Sequence, residues 1–382
     1  MTLNLFDSRV QLNSAAPPRI SQGARRPMKI CLFSNFFLPG IGGVERASHN
    51  LADGWRELGH EVIVVTARPA GDFDDSALGF PVARPPLQRV WQELLPGCDV
   101  LVSNGFSLRY VRQWRRAGVP FGWIHSMEIG ANDTLRNSIA FALRRVATRL
   151  GDFNICVSHS MKRHIKNPRA VVIHNAVDPI FRVIPDVMPS GRYVFFGRMW
   201  MPKGMDTLLH AIAELRSKGV DAPTDFLGEG PDLSAAQAIA RDLKIDHLVR
   251  FLPFQLGDEL VRTLNAARAV IVPSNWNEPF GLVAVEAMAC GRCVVGSRTG
   301  GLQEILAGYA PIFTPGNSHE LAAAMLDLHQ HPDKLRHFEQ QSILRATHFR
   351  LRPICQLYLE VFEKAIHARG RRPRISTPGA TA

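Results

Sequence analysis

Residues Met28–Ala67 read MKICLFSNFFLPGIGGVERASHNLADGWRELGHEVIVVTA. The apolar run from Lys29 to Ser34 predicts a buried strand, and beyond a glycine-containing loop the spacing of apolar residues predicts an amphipathic helix that ends near Gly59. A second apolar run, from Val62 to Thr66, predicts another strand. The stretch is therefore a βαβ unit, which is typical of α/β proteins with a parallel sheet.

The loop of this unit limits the class of ligand. It reads G-I-G-G-V-E from Gly40 to Glu45, so it lacks the third glycine of the dinucleotide fingerprint. No acidic residue directly follows the second strand, where that fingerprint places the group that binds a ribose. A nicotinamide-dependent enzyme is therefore disfavoured.

A second informative stretch is NEPFGLVAVEAMACG, residues Asn277–Gly291, which follows the apolar run RAVIVPS. The pattern predicts a strand that stops at Pro273 and a helix that begins at about Phe280. Backbone N–H groups at Phe280, Gly281 and Leu282 then have no partner within the helix, and such a helix end attracts phosphate.

Two carboxylates flank this helix start, Glu278 before it and Glu286 within it. The pair suits a nucleotide diphospho-sugar, because one carboxylate can hold sugar hydroxyls and the other a ribose, with the diphosphate between them. A second interpretation stays open from these residues alone. In that interpretation Glu278 caps the helix N-terminus, where a negative charge is favourable, and Glu286 is a solvated helix residue.

Two cations follow a third predicted strand, in YVFFGRMWMPKGMDTLLHAIAEL from Tyr193 to Leu215. The strand ends at Gly197 and Arg198, and Lys203 precedes the next helix. An arginine and a lysine over a diphosphate would neutralise the charge that builds up on a leaving group as a glycosidic bond breaks. We therefore interpret Arg198 and Lys203 as phosphate-binding residues.

Together these blocks resemble the family 4 glycosyltransferases, of the group 1 type, through the E-x7-E signature and the G-R-x4-K-G motif. The resemblance extends from Met28 to about Arg369. It implies a retaining transferase with two Rossmann-like domains that face each other across a cleft (the GT-B fold). It also implies a C-terminal helix that crosses back to the first domain.

The expected domain organisation follows from the resemblance and from a linker region, VVIHNAVDPIFRVIPDVMPSGR, that three prolines interrupt. We expect a disordered leader over residues 1–27, with Met28 as an alternative native start. The remaining units are an acceptor-side domain over 28–180, a nucleotide-sugar-binding domain over 181–350, a crossing helix over 351–369 and a disordered tail over 370–382.

The resemblance also assigns roles to residues of the first domain. Gly42 and Gly43 would lie against the phosphates and sugar of the donor. His125, which ends the predicted strand in VPFGWIHSMEIG, would position the donor sugar, and the carboxyl end of a strand is where open α/β sheets bind ligands. We count His125 among the catalytic residues, with Arg198, Lys203 and Glu278.

Weaker donor-binding predictions concern the second domain. The resemblance implies that Gly228 and Glu229, in the turn GEG-P before a helix, bind the donor. The alternative is a purely structural role, because this sequence favours a turn before a helix on its own. Phe254 ends the segment VRFLPF, which edges the nucleobase pocket in the family. We expect the base to be recognised mostly by backbone groups near Phe254, so the nucleotide stays open among UDP, GDP, ADP and dTDP.

Composition indicates a globular chain and a reducing environment. The 382 residues are 46% apolar and 21% charged, and no apolar run approaches the roughly 20 residues that a bilayer requires. Residues 1–27 carry no apolar core of a signal peptide. Six scattered cysteines in such a chain indicate the cytoplasm, and we interpret the C-x-x-C of Cys290 and Cys293 as packing.

We also expect no cofactor and no essential metal. The sequence GDFDDS, with Asp72, Asp74 and Asp75, resembles the D-x-D metal motif of the other large glycosyltransferase fold. It lies in a loop rich in proline and glycine, far from the donor blocks, so we interpret the three aspartates as solvated.

The formal net charge of +11 points to an anionic partner. Many of the arginines and lysines lie in the first domain, and the stretch NDTLRNSIAFALRRVATRL, residues 132–150, has the pattern of a basic amphipathic helix. Such a helix can lie on an anionic membrane surface, and an ordinary core helix with a basic solvated face is the alternative. Nucleic-acid binding lacks any supporting motif.

The predicted function is transfer of a hexosyl group from a nucleotide diphospho-sugar to a saccharide or lipid-linked (polyprenyl-linked) saccharide, in surface polysaccharide or glycolipid synthesis. The predicted location is the cytoplasm, with possible peripheral contact at the inner membrane. Two alternatives are a nucleotide-sugar 2-epimerase of the same architecture and a scaffold without catalytic activity.

Overall fold

The structure is a computed structural model, and it describes residues 26–40, 42–127 and 145–370. Most of the predicted leader, the predicted tail from residue 371 and most of the predicted basic helix lie outside these residues. Among the described helices, none combines the length and the apolar character needed to cross a bilayer.

The first domain is built on a parallel sheet of seven strands in the order β3-β2-β1-β4-β5-β6-β7. Its strands are β1 (Lys29–Ser34), β2 (Glu61–Thr66), β3 (Val82–Ala83), β4 (Val100–Asn104), β5 (Phe121–His125), β6 (Phe153–Cys156) and β7 (Val171–Val172). The predicted βαβ unit is thus present, and its second strand begins one residue earlier than predicted.

The second domain is built on a parallel sheet of six strands in the order β10-β9-β8-β11-β12-β13. Its strands are β8 (Tyr193–Phe196), β9 (Thr224–Leu227), β10 (Val249–Leu252), β11 (Ala269–Val272), β12 (Val294–Ser297) and β13 (Ile312–Phe313). When the strands of each domain are numbered along the chain, both sheets contain the order 3-2-1-4 of a Rossmann fold.

Helices connect the strands and cover the sheets. In the described residues the α-helices are α1 (Gly43–Glu57), α2 (Leu87–Glu93), α3 (Val111–Arg116), α4 (His159–Ile165), α5 (Met205–Ser217), α6 (Leu233–Asp242), α7 (Gly257–Ala266), α8 (Leu282–Ala289), α9 (Gly300–Leu306), α10 (Ser318–Gln330), α11 (Pro332–Ala346) and α12 (Leu351–Gly370). Short 3-10 turns cover Asp75–Leu78, Leu95–Gly97, Thr148–Leu150, Met201–Lys203 and Thr347–Phe349.

Strand β1 shows why the sheets are buried on both faces. Successive side chains of a strand point to opposite faces, and here both sets are apolar. Ile30 and Leu32 belong to a core cluster that also contains residues of the second domain such as Val270. Cys31 and Phe33 belong to a separate cluster on the other face, among the aromatic rings of α2 and α3.

The C-terminal helix α12 packs on the first domain, as the resemblance implied. Trp55 on α1 makes edge-to-face contacts with Tyr358 and Phe362 on α12, with ring centroids 5.7 and 5.3 Å apart. Gly54 allows the close approach, because a Cβ there would lie 2.5 Å from the sulfur of Cys355. Helix α12 therefore connects the second domain back to the first domain.

Candidate active site

The contacts between the domains join segments that follow strand carboxyl ends in both sheets. Ser158, after β6, donates a hydrogen bond of 2.6 Å to the carbonyl of Pro279, which lies between β11 and α8. The backbone N–H groups of His159 and Ser160 donate to Glu304 on α9. The carboxyl edges of the two sheets therefore meet. In open α/β sheets, ligands bind at this edge, at the point where the strand order reverses.

Lys203 lies at the second of these edges, in the turn Met201–Lys203 that follows β8. Its ammonium lies 2.5 Å from Oε1 of Glu278 and 5.1 Å from the ring centroid of Trp276. Gly204, with φ of 81°, makes this turn possible, because a Cβ there would lie 1.8 Å from the carbonyl oxygen of Pro273. The sequence motif therefore places a half-buried cation beside the end of β11.

Glu278 is buried and receives three donors on a single oxygen. Oε1 accepts from Lys203, from the hydroxyl of Ser274 at 2.7 Å and from the indole of Trp276 at 3.0 Å. None of these donors is an N–H group of α8, so Glu278 does not cap this helix through a hydrogen bond. Among the described residues no donor reaches Oε2, which leaves that oxygen available to a ligand hydroxyl.

Helix α8 begins at Leu282, two residues later than predicted. Gly281 is its N-cap with φ of 104°, a conformation that side chains other than glycine rarely adopt. Within the described part of the chain no acceptor takes the backbone N–H groups of Phe280, Gly281 or Leu282. The predicted free donors are thus present, and they lie next to Glu278.

Glu286 lies inside helix α8 and is 2% exposed, so its interpretation as a solvated residue is wrong. Its Oε1 is 2.6 Å from a guanidinium nitrogen of Arg46, on helix α1 of the first domain. Burial raises the pKa of Glu286 to about 7, and the opposing effect of Arg46 is smaller. The carboxylate predicted to hold a ribose thus forms an ion pair across the domain interface.

The remaining predicted residues of the second domain lie along the same edge. The Arg198 guanidinium is exposed, as is Glu229, while Phe254 is half-buried just beyond β10. A Cβ at Gly228 would lie 2.0 Å from the carbonyl oxygen of Gly197, so the GEG turn packs directly on the loop that carries Arg198. This close packing supports the structural interpretation of Gly228.

The predicted glycines of the first domain lie at the start of helix α1. Gly42 is the N-cap and Gly43 the first residue of that helix. A Cβ at Gly43 would lie 4.0 Å from a methyl group of Leu282, so the two helix starts face each other across the domain boundary. The structure therefore brings the GG loop and the E-x7-E segment together.

His125 ends strand β5 and is fully buried. Its Nε2 lies 2.9 Å from Oδ1 of Asn154, and its ring stacks on Phe106 with centroids 6.2 Å apart. These contacts fix the orientation of the imidazole at the carboxyl edge of the first sheet.

The sequence analysis did not predict a buried hydrogen-bond network that lies at this edge of the first sheet. Asn104 donates to Ser48 at 2.8 Å and accepts from Ser126 at 2.9 Å, and Ser48 donates to Ser34 at 3.1 Å. The residues come from the ends of β1, β4 and β5 and from α1. No local motif marks them, because only the strand order brings them together.

Two further interpretations are corrected or refined. Asp75 is not merely solvated, because both its oxygens accept from Arg84 at 2.6 and 2.7 Å. Asp74 caps the adjacent 3-10 turn by accepting from Ser76. Cys290 and Cys293 are buried and free, and burial raises the pKa of both thiols, which agrees with a packing role.

The described residues contain no group of three or more histidine, cysteine, aspartate or glutamate side chains able to hold a metal ion. Most of the predicted basic helix, including Arg136 and Arg144, lies outside them. Of its final residues, Val146 and Leu150 are exposed at 63% and 43%, and Arg149 between them is also exposed.

Two Rossmann-like domains with facing carboxyl edges are the architecture of the GT-B fold. The chain belongs to the family 4 glycosyltransferases of the group 1 type. The model described as Glycosyltransferase Family 4 matches residues 41–181, and the model described as Glycosyl transferases group 1 matches residues 190–331. The chain is therefore a glycosyltransferase.

Relatives of known name agree with this assignment. One is a human protein named as one of the subunits of phosphatidylinositol N-acetylglucosaminyltransferase. The chain is 30% identical to it over 337 residues, an alignment that covers 77% of this chain and 68% of that protein. The chain is also 43% identical over 115 residues to the D-inositol 3-phosphate glycosyltransferase of Corynebacterium jeikeium, covering 28% and 27% of the two chains.

Solved structures share the fold. Anabaena HepE in complex with UDP matches with a TM-score of 0.75 and 19% identity, covering 88% of this chain and all of that one. The same protein in complex with UDP-glucose matches with a TM-score of 0.74. At this identity the likeness concerns the fold alone.

Proposed function

We propose that the chain transfers a hexosyl group from a nucleotide diphospho-sugar to a saccharide or lipid-linked acceptor, with retention at the anomeric carbon and without an essential metal. The observation that carries this proposal is the pair of Lys203 and Glu278 beside the free N–H groups at the start of α8. A cation, main-chain donors and a carboxylate with one open oxygen are what a diphosphate and a sugar require.

In the proposed reaction the bond between the anomeric carbon and the diphosphate oxygen breaks, and the acceptor oxygen bonds to that carbon from the same face. The acceptor proton passes to the departing diphosphate. Lys203, Arg198 and the N–H groups of Phe280–Leu282 would stabilise the negative charge that develops on this leaving group. Glu278 and His125 would orient the sugar, and Glu286 would bind the ribose.

Lys203 can gain a partner during this reaction. In the structure its ammonium is shared between Glu278 and the face of Trp276. An ammonium has three donors, so a diphosphate can take one of them without breaking the contact with the carboxylate. The proposal therefore needs no large rearrangement of the second domain.

The names of similar proteins support the choice of substrates. HepE is solved with UDP and with UDP-glucose, which favours UDP as the nucleotide tested first. The human relative is named for phosphatidylinositol, a lipid. Exposed Val146, Leu150 and Arg149 give this chain a basic and apolar surface of the kind that binds anionic membranes.

The proposal is tested by measuring the melting temperature of the full chain with UDP, GDP, ADP and dTDP, and then product formation with the matching nucleotide-sugars. One nucleoside diphosphate should raise the melting temperature, since a ligand that binds only the folded state stabilises it. Transfer to a saccharide or lipid-linked acceptor should retain the anomeric configuration. Epimerised donor formed without an acceptor, or no stabilisation by any of the four, would overturn the proposal.

A further inference from the structure

The ion pair between Arg46 and Glu286 joins two elements that belong to different domains. Arg46 lies on the first turn of α1, directly after the GG loop, and Glu286 lies in the middle of α8. The 2.6 Å contact links positions 240 residues apart in the chain. The guanidinium also lies 5.1 Å from the ring centroid of Phe181, in the segment between the two sheets.

The environment of Glu286 makes this contact important. A buried carboxylate is costly unless a cation or hydrogen bonds compensate it. The charged groups that act on it are Arg46, which favours ionisation, and Asp178, which disfavours it. The thiol of Cys290, at the C-cap of the same helix, also lies near Glu286. Arg46 is thus the cation that compensates the charge of the buried Glu286 carboxylate.

The second carboxylate oxygen of Glu286, Oε2, is placed to accept a hydrogen bond from a ligand. Arg46 contacts Oε1, and no described residue donates to Oε2. An ionised carboxylate accepts hydrogen bonds from hydroxyl groups on both oxygens, whereas a protonated carboxyl is a weaker acceptor. A ribose hydroxyl would therefore bind best while the ion pair with Arg46 keeps the group ionised.

We infer that Arg46 is a positioning residue for the donor: from the first domain it favours the ionised form of Glu286 and orients the carboxylate, so nucleotide binding by the second domain depends on contact between the domains. This inference rests on the proposed function, in which Glu286 binds the ribose. Arg46 acts through Glu286 and is not itself assigned to the reacting atoms.

The test compares the wild-type protein with R46M, R46K, E286Q and the double variant R46M/E286Q. The affinity for UDP, or for whichever of the four nucleoside diphosphates stabilises the chain most, is measured from pH 5.5 to 9. R46M should weaken binding about tenfold at pH 7, the size expected for one charge-assisted hydrogen bond. R46K should restore part of this loss, because it keeps the charge.

The pH profile separates this role from a merely structural one. Wild-type affinity should fall below pH 7 as Glu286 becomes protonated, and in R46M the midpoint should move up by about 1–3 pH units because the neighbouring cation is gone. E286Q supplies the baseline, since it retains only the pH dependence of the nucleotide. In the E286Q background, R46M should have no further effect.

Arg56→Met is the matched control. Arg56 lies on the same helix α1 and pairs with Asp53 at 2.7 Å, away from α8, so its loss should leave affinity and pH profile unchanged. An R46M variant that binds like the wild type, or that loses affinity equally at every pH, overturns the inference. Failure of the wild-type protein to bind any of the four nucleotides would instead overturn the proposed function.

Discussion

At the carboxyl edge of the second sheet, Lys203 and Glu278 form a half-buried ion pair beside free main-chain donors. The matching edge of the first sheet holds the neutral network of Ser34, Ser48, Asn104 and Ser126, with His125 nearby. Both edges are formed by sheets with the same 3-2-1-4 strand order. The fold provides the position, and the residues after each strand decide the chemistry.

The difference suggests a division of tasks. A departing diphosphate needs opposite charge and preorganised donors, which the second edge offers in Lys203 and the N–H groups at the start of α8. A sugar or another neutral acceptor needs oriented hydrogen-bonding groups without strong charge, which the first edge provides. Of the variants below, the first two each affect one edge, and the third affects the contact between the edges.

The largest expected effect is that of Lys203→Met. Removal of the ammonium should lower the turnover number about 10²- to 10³-fold, the usual cost of losing a group that stabilises a developing charge. Turnover is measured with saturating donor, and far-ultraviolet circular dichroism checks that the variant is folded.

The control for this variant is Lys218→Met, because Lys218 is exposed at the end of helix α5 and pairs with Glu214 on the same helix. Its turnover should equal that of the wild type. If Lys203→Met also turned over normally, the charged edge would have no part in the reaction, and the contrast between the edges would lose its functional meaning.

A smaller effect is expected for Asn104→Ala at the first edge. The change leaves the buried hydroxyl of Ser48 and the half-buried hydroxyl of Ser126 without their shared partner, and it should lower the free energy of unfolding by about 1–3 kcal/mol. Affinity for a nucleoside diphosphate should not change. Urea denaturation and equilibrium titration measure the two quantities.

The matched control here is Gln88→Ala, at an exposed position of the same domain, which should leave stability nearly unchanged. A loss of nucleotide affinity in Asn104→Ala with normal stability would contradict the assignment, since it would show that the neutral network takes part in binding the nucleoside diphosphate.

The smallest expected effect is that of Glu304→Gln, at the contact between the edges. The Glu304 carboxylate accepts from the N–H groups of His159 and Ser160, at the start of α4. An amide keeps an acceptor but loses the charge, so the free energy of unfolding should fall by about 1 kcal/mol or less. Glu93→Gln, at an exposed position, is the control, and equal stability of the two variants would show that the Glu304 charge contributes nothing.

Local sequence signals predicted most of the fold and the proximity of Lys203 to Glu278. Strand β1 has the bounds that its apolar run indicated, and Lys203 and Glu278 lie together because their motifs each follow a strand of one parallel sheet. The start of α8 was misplaced because Gly281 adopts a left-handed conformation that delays the helix. The pattern of apolar residues carries no trace of that conformation.

The contacts that the sequence did not predict depend on the packing of distant elements. Arg46 and Glu286 meet only because α1 and α8 face each other across the domains. The residues of the neutral network are serine and asparagine, which are common in loops and carry no distinctive spacing. Their proximity is a consequence of strand order, which no single stretch of the chain records.

The most direct test of the central claim is a crystal structure of the chain with a bound nucleoside diphosphate. We expect the diphosphate at the carboxyl edge of the second sheet, with its oxygens within hydrogen-bonding distance of Lys203, Arg198 and the N–H groups of Phe280–Leu282. A diphosphate bound away from this edge, with Lys203 still paired only to Glu278, would contradict the account.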